Sequence, residues 1–372
     1  MIDSILIKIL TKKPVDRTYF SRRKTHETKG VARVITLSCE NMGKYKKEGV
    51  YMPQVSIECH KKTAPARNIC IQVSIPKLLY GTSLFEIDES SLPLFVTKLQ
   101  AQLKNLGIYV SQAEILSATV SRIDFAKVIK LPSFTSSSDF IGKLEKSGYR
   151  SRADLTHRDI RIGKEGYWMK FYNSSSSLTI YDKMLEIQKQ GYTVSEKKIQ
   201  ELILKQKLHK NVIKFEVSLQ RPQKVVAILN TVCKQKKAKY SLQEVFYKEI
   251  SQKVLLHYLA ASFNEDVDFI CHTFSDKSLR TNIRNLYSYR RNKTCLYFLL
   301  EEIKERGSEI VFKEIQMIHG YSARKRYEHD LHELHSELQK QNSTNLQPVS
   351  FLKKALEQFI IYCYPYTNKT SL

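Results

Sequence analysis

Apolar and polar residues alternate at every second position through the first two-thirds of the chain. The pattern runs through "YMPQVSIEC", "ICIQVSI", "SATVSRIDFAKVI", "YWMKFY", "SLTIYDK" and "VIKFEVSLQ", all rich in β-branched and aromatic residues. Strands with a single apolar face need a core on one side only, which predicts an antiparallel sheet. Helical patterns intervene at "SLPLFVTKLQAQLKNLG", at "SSSDFIGKLEKSG" and at "SEKKIQELILKQKLHK". Together they predict an α+β domain whose antiparallel sheet carries helices on one face.

After about residue 235 the strands thin out, and "SLQEVFYKEISQKVLLHYLAASF" and "TCLYFLLEEIKERG" read as helices. The predicted division is therefore a domain over 1–235, a mainly helical region over 236–345 and a tail over 346–372. Within the second region "VFKEIQMIHG" and "YSARKRYEHDLHELHSELQK" form two helices with Gly320 as the turn. Helix, turn and a second helix with a basic start outline a helix-turn-helix or winged-helix module for reading DNA. Arg324, Lys325 and Arg326 stand where base or phosphate contacts would be made. His329, His332 and His335 follow at three-residue spacing, but four interleaved acids make a solvated face the better reading than a metal site.

With 61 Lys and Arg against 37 Asp and Glu, the net charge is +24, and a polyanion is the expected partner. No run of 18 apolar residues and no lipidation motif points to a membrane, so nucleic acid is favoured. The segment "SDKSLRTNIRNLYSYRRNK" interleaves Arg284, Arg290 and Arg291 with Tyr287 and Tyr289, which suits phosphate tracking and base stacking as well as it suits a solvated basic helix. The opening "MIDSILIKIL" lacks the basic region and cleavage site of a secretory signal and reads as a strand, which predicts a cytoplasmic protein. Seven scattered cysteines with no C-x-x-C pair predict reduced thiols.

Sorting three strands by face yields a candidate site. In "IKFEVSL" Ile213, Phe215, Val217 and Leu219 share one face, leaving Lys214, Glu216 and Ser218 on the other. In "SLTIYDK" Leu178 and Ile180 oppose Thr179, Tyr181 and Lys183. In "VSRIDFAKVI" Ile123, Phe125 and Ile129 oppose Arg122 and Asp124, less cleanly because Val120, Ala126 and Val128 fall beside Asp124. As neighbours in one sheet these strands would gather two carboxylates, a tyrosine and three cations. Two acidic oxygen donors can hold Mg²⁺ or Mn²⁺ against a scissile phosphate. A phenol of ordinary pKa about 10 needs help to attack at neutral pH, from the metal or from Lys183. Each residue alone has a blander reading, since the chain has 21 tyrosines and a strand carboxylate often pairs with a cross-strand cation.

"MIDSILIKIL", "IPKLLYG", "SRIDFA", "LTIYDKMLEIQKQ" and "IKFEVSLQ" follow one another in an order that resembles the gene II/X-type replication proteins of filamentous phages. The series R-I-D, Y-x-K, F-E also resembles plasmid rolling-circle initiators. The resemblance implies a rolling-circle nuclease with an RRM-like core. Its implied activity is metal-dependent nicking of one strand at a double-strand origin, with a 5′-phosphotyrosyl intermediate, a 3′-OH primer and later rejoining. It implies Tyr181 as nucleophile with Lys183 beside it, and Asp124 and Glu216 as metal ligands. Glu58, which shares a face with His60 in "SIECHK", is the candidate third ligand. Arg122 and Lys214 are expected to meet DNA. The partners implied are origin DNA, single-stranded at the cut, with a helicase and polymerase of a bacterial host, because the chain has no G-x-x-x-x-G-K-[ST] loop of its own. A mobilisation relaxase would use the same chemistry. A non-catalytic DNA-binding regulator on a sheet platform would show aromatics on the open face, where the three sorted strands show mostly charges.

Overall fold

The computed structural model describes residues 1–10, 20–26, 34–39, 42–59, 68–147, 155, 157–163, 166–205, 211–263, 265, 293–306, 308–339 and 347–362. Its centre is an antiparallel ten-stranded sheet in the order β2-β3-β4-β5-β1-β6-β10-β9-β8-β7. The strands are β1 (Ile2–Leu10), β2 (Phe20–His26), β3 (Val34–Cys39), β4 (Gln54–Cys59) and β5 (Asn68–Ser74). They continue with β6 (Thr119–Lys130), β7 (His157–Gly163), β8 (Gly166–Tyr172), β9 (Ser176–Asp182) and β10 (Val212–Leu219).

The helices are α1 (Met42–Lys47), α2 (Ile75–Tyr80), α3 (Leu92–Asn105), α4 (Gln112–Leu116), α5 (Ser137–Lys146), α6 (Lys183–Gln190) and α7 (Val194–Leu204). After the last strand come α8 (Pro222–Cys233), α9 (Leu242–Val245), α10 (Lys248–Ser262), α11 (Lys293–Arg306), α12 (Ser308–His319), α13 (Tyr321–Gln339) and α14 (Pro348–Gln358). The α+β class and antiparallel sheet expected from the alternation are both present. No helix among the described residues is long and apolar enough to cross a membrane.

The alternation has the predicted physical cause. Ile123, Phe125, Leu178, Ile180, Ile213, Phe215, Val217 and Leu219 are all fully buried on one face, in one cluster with Val225 and Leu229 of α8 and Val254 and Leu255 of α10, which pack on β6 and β10. The other face is covered at one end. There α6 and α7 bring Met184, Ile187, Ile199 and Ile203 onto Val128 and Val212, which share the face of Lys214. Helices therefore flank both faces.

Sequence reading changes domain near residue 235, but the core does not change there. Leu242, Val254, Leu255 and Tyr258, together with Val349, Leu352 and Leu356 of α14, belong to the same apolar cluster as Phe125 and Phe215. Gln252 Nε2 donates to the Leu356 carbonyl at 2.9 Å, tying α10 to α14. Residues 348–359, expected to belong to a tail, are thus part of the sheet's own packing, because Val349, Leu352 and Leu356 line one side of a helix and lie in that cluster. Among the described residues a second cluster is formed by α11, α12 and α13, with Leu296, Leu300, Ile303, Phe312, Leu331 and Leu334 at its centre. The predicted helix, turn and helix is present there, and the turn is the single residue Gly320, at φ 83, a left-handed conformation that suits glycine. No strand accompanies these three helices among the described residues, so no wing is described.

Candidate active site

The site forms where β1, β6, β10 and β9 lie side by side. Lys214 is directly opposite Tyr181, Ser218 opposite Asp124, and Asp124 opposite Ser4. Directly opposite residues of an antiparallel pair point to the same face, so Tyr181, Asp124, Glu216 and Lys214 share one surface as expected. Glu216 stands opposite Ala126, one face position from Asp124's partner; such diagonal neighbours are about 7–8 Å apart.

Glu216 is the hub. Its Oε2 accepts from the Tyr181 hydroxyl at 3.3 Å and meets Lys214 Nζ at 3.3 Å. Asp124 accepts from the hydroxyls of Ser4 and Ser218 and from the Arg122 guanidinium at 3.2 Å. Burial raises the Glu216 carboxyl above its ordinary range, and the charges of Asp3 and Asp124 add to that while Lys214 and Lys183 oppose it. Burial, with Glu216 next, pushes the Tyr181 phenol well above its usual value. Tyr181 is therefore held as the neutral phenol in this state.

Sequence reasoning missed Asp3. Its Oδ1 lies 2.6 Å from Lys214 Nζ, because β1 shifts register between Ile2 and Ser4. A bulge of this kind re-aims a side chain. Two polar residues, Asp3 and Ser4, separate the buried Ile2 and Ile5, and that break in the alternation was the available signal. Burial opposes ionisation of Asp3, yet the Lys214 and Lys183 ammonium groups hold its pKa below the usual carboxylate value.

Lys214 departs from its expected role on DNA. Only 2% of its side chain is exposed, and it is a counter-ion between two carboxylates. Burial works against its charge, but Asp3 and Glu216 outweigh that and raise its pKa. Arg122 keeps about a third of its side chain in solvent while pairing with Asp124. Lys183 was expected on the strand with Tyr181, but β9 ends at Asp182, whose carboxylate accepts from the Leu185 backbone N–H at 2.9 Å as the cap of α6. The chain turns there, and Lys183 Nζ lies 5.8 Å from the Tyr181 ring centroid. It donates to Ser83 Oγ at 2.8 Å and pairs with Glu186. Burial, reinforced by Lys214, lowers its pKa.

Glu58 is not part of this site. It pairs with Lys8 and Asn68, both at 2.8 Å, on β4, three strands from β6. Three strand spacings amount to about 14 Å. Along the sheet Glu58 aligns through Asn68 with Leu10, whereas Asp124 aligns with Ser4, a further ~20 Å. The alternation placed Glu58 on a face but carried no information about its distance from Asp124. His60 lies outside the described residues, as do Arg284, Tyr287, Tyr289, Arg290 and Arg291.

Among the described residues no three His, Cys, Asp or Glu side chains come together closely enough to hold a metal ion. Mg²⁺ commonly takes only one or two protein carboxylates and completes its shell with water and substrate phosphate. Asp124 and Glu216, hard oxygen donors at diagonal positions of neighbouring strands on one face, are the residues that would hold such an ion. The histidines of α13 do not form a centre: His329 pairs with Glu333 at 3.2 Å, and the His332 and His335 rings meet edge-on at 6.3 Å. At the start of α13, Arg324 Nε donates to Glu328 at 2.8 Å and Lys325 Nζ at 2.9 Å, while Arg326 is exposed.

The model of the Phage_CRI family, which describes the N-terminal part of a phage replication-associated protein, matches residues 1–236. Comparison with curated proteins and with solved structures gives no match.

Proposed function

The chain belongs to the Phage_CRI family of replication-associated proteins, and from that membership we propose that it initiates rolling-circle replication by cutting one strand of an origin with Tyr181. The observation that carries the reading is the Tyr181 hydroxyl directed at Glu216 at 3.3 Å, on the face that also presents Asp124.

Burial and the Glu216 carboxylate favour the neutral phenol, so attack by Tyr181 needs its proton removed. Glu216 is the acceptor already in reach of the phenolic proton. Attack forms a bond from Tyr181 Oη to phosphorus and breaks the bond from phosphorus to the 3′ oxygen, which leaves and takes up a proton as the 3′-OH. The phosphorus remains a diester, so a 3′-OH can attack it in reverse, releasing Tyr181 and closing the strand. Lys183, whose ammonium lies 5.8 Å from the Tyr181 ring centroid, would favour negative charge developing on the phenolic oxygen. Mg²⁺ or Mn²⁺ held by Asp124 and Glu216 would supply the charge that polarises the phosphate.

The 3′-OH serves as primer for a host polymerase, with unwinding left to a host helicase. Recognition of the duplex origin falls to the basic start of α13, where Arg324, Lys325 and Arg326 gather. The test is incubation of the purified protein with Mg²⁺ and supercoiled DNA carrying its own replicon, followed by denaturing gels and mapping of any modified tyrosine. A covalent adduct at Tyr181 is expected. DNA binding with no nick and no adduct under varied metals would leave a non-catalytic regulator instead.

A further inference from the structure

The face that carries Tyr181 continues outward across β8. Trp168 lies directly opposite Tyr181, Lys170 opposite Thr179 and Tyr172 opposite Ser177. Met169 and Phe171 alternate with them and are buried in the core, so the core's demand on β8 is met by those two residues. Trp168, Lys170 and Tyr172 are each half-buried on the other side. The Lys170 ammonium lies 5.3 Å from the Tyr172 ring centroid. His157, exposed on β7, stacks against Tyr172 with centroids 5.3 Å apart and planes at 24°.

Rings interleaved with an ammonium group are the chemistry that holds single-stranded nucleic acid. Each base offers a π-face to stack, and the backbone offers phosphates to the cation. Rings and a cation alternating along one strand match the alternation of bases and phosphates in a single nucleic-acid strand. Trp168 and Tyr172 are about 13 Å apart along β8, with Lys170 between them. Trp168 is about 5 Å from Tyr181 across the strand pair, so a base on Trp168 belongs to a nucleotide close to the cut. The net charge of +24 supplies the long-range attraction.

We propose that Trp168, Lys170 and Tyr172 of β8, extended by His157, form a stacking platform for single-stranded DNA that delivers the scissile phosphate to Tyr181. The platform rests on the reading of this face as the DNA-cutting site. It also answers the expectation that the open face is charged: β8 adds the aromatic half of a surface whose charged half lies on β6 and β10.

Trp168 is the chain's only tryptophan, so intrinsic emission reports on this position alone. The experiment uses the full chain as Tyr181→Phe without added metal, titrated with a single-stranded oligothymidylate of about 12 nucleotides. Binding is followed in parallel by the anisotropy of a labelled oligonucleotide. Saturable quenching of Trp168 emission that tracks the anisotropy is expected. Trp168→Ala and Tyr172→Ala should each weaken binding about tenfold or more, with Trp168→Phe retaining most of the affinity. Anisotropy saturating with no change in emission would overturn the platform, and that measurement needs no variant at Trp168. Equal competition by a duplex of the same sequence would overturn it too, since paired bases cannot stack on the rings. Because no cleavage is involved, quenching without any adduct from the wild-type protein would retire the nuclease reading alone. An adduct without quenching would retire the platform alone.

Discussion

Two groups of charges invite comparison: the cluster at the centre of the sheet and the cluster at the start of α13. Their contacts are of similar length, 2.6 Å from Lys214 to Asp3 and 2.8 Å from Arg324 to Glu328. Their surroundings differ. Lys214 is almost wholly removed from water, whereas 55% of the Lys325 side chain remains exposed. In the sheet, desolvation acts on every group at once and moves Tyr181 and Glu216 up and Lys183 down. At α13 burial of Glu328 is partial, and the Arg324 and Lys325 charges outweigh it to draw the carboxylate's pKa down. Chemistry that needs displaced protonation states is favoured in the first setting, and contact with a polyanion in the second.

The comparison breaks most visibly at Tyr181. Tyr181→Phe is expected to abolish nicking and the covalent adduct while leaving origin binding intact; persistent cleavage on denaturing gels would remove Tyr181 from the chemistry. Next is Lys214→Met, which removes the buried ammonium that pairs with both Asp3 and Glu216. It is expected to cost about 3–5 kcal/mol in urea unfolding, and a loss below about 1 kcal/mol would mean that the sheet cluster is solvated like the α13 cluster.

Asp124→Ala and Glu216→Ala should each lower metal-dependent nicking at least about tenfold, and identical Mg²⁺ titrations in the wild type and variants would deny them the metal. Replacing Arg324 and Arg326 with Gln should weaken duplex binding and reduce its salt slope by about 0.9 for each phosphate that is no longer neutralised. Nicking of a single-stranded oligonucleotide should be unchanged, and a parallel loss there would place both clusters in one site.

The smallest effect belongs to Glu328→Gln, less than about 1 kcal/mol at neutral pH. Because the folded-state pKa of Glu328 is depressed, its contribution is present above the ordinary carboxylate pKa and fades as pH falls through the depressed value. Urea midpoints of the wild type and variant should therefore converge in acid, and a gap that persisted would assign the effect to packing.

Much of the site was legible because period-2 geometry is local. Sorting "IKFEVSL" by face correctly set Glu216 against Phe215, and sorting "SLTIYDK" set Tyr181 against Ile180. The same procedure failed at Lys183, where the Asp182 cap ends the strand one residue earlier and turns the lysine back towards the ring. It also passed over Lys127, which occupies a core-side position of β6 and is buried in a pair with Glu86. No alternation rule anticipates a charge there, because its partner arrives from a loop 41 residues away.

The sequence by itself determined which side chains share a face of each strand, the antiparallel class of the sheet and a net charge of +24 that attracts polyanions. Tertiary structure alone decided which faces meet. Glu58 and Glu216 lie in equally regular strands, yet only the order β1-β6-β10-β9 brings Glu216 beside Asp3, Asp124 and Tyr181 while leaving Glu58 three strands away from β6. Strand order and register arise from contacts between residues far apart in the chain, and the desolvation that displaces the protonation states of Tyr181 and Glu216 exists only once those strands are assembled.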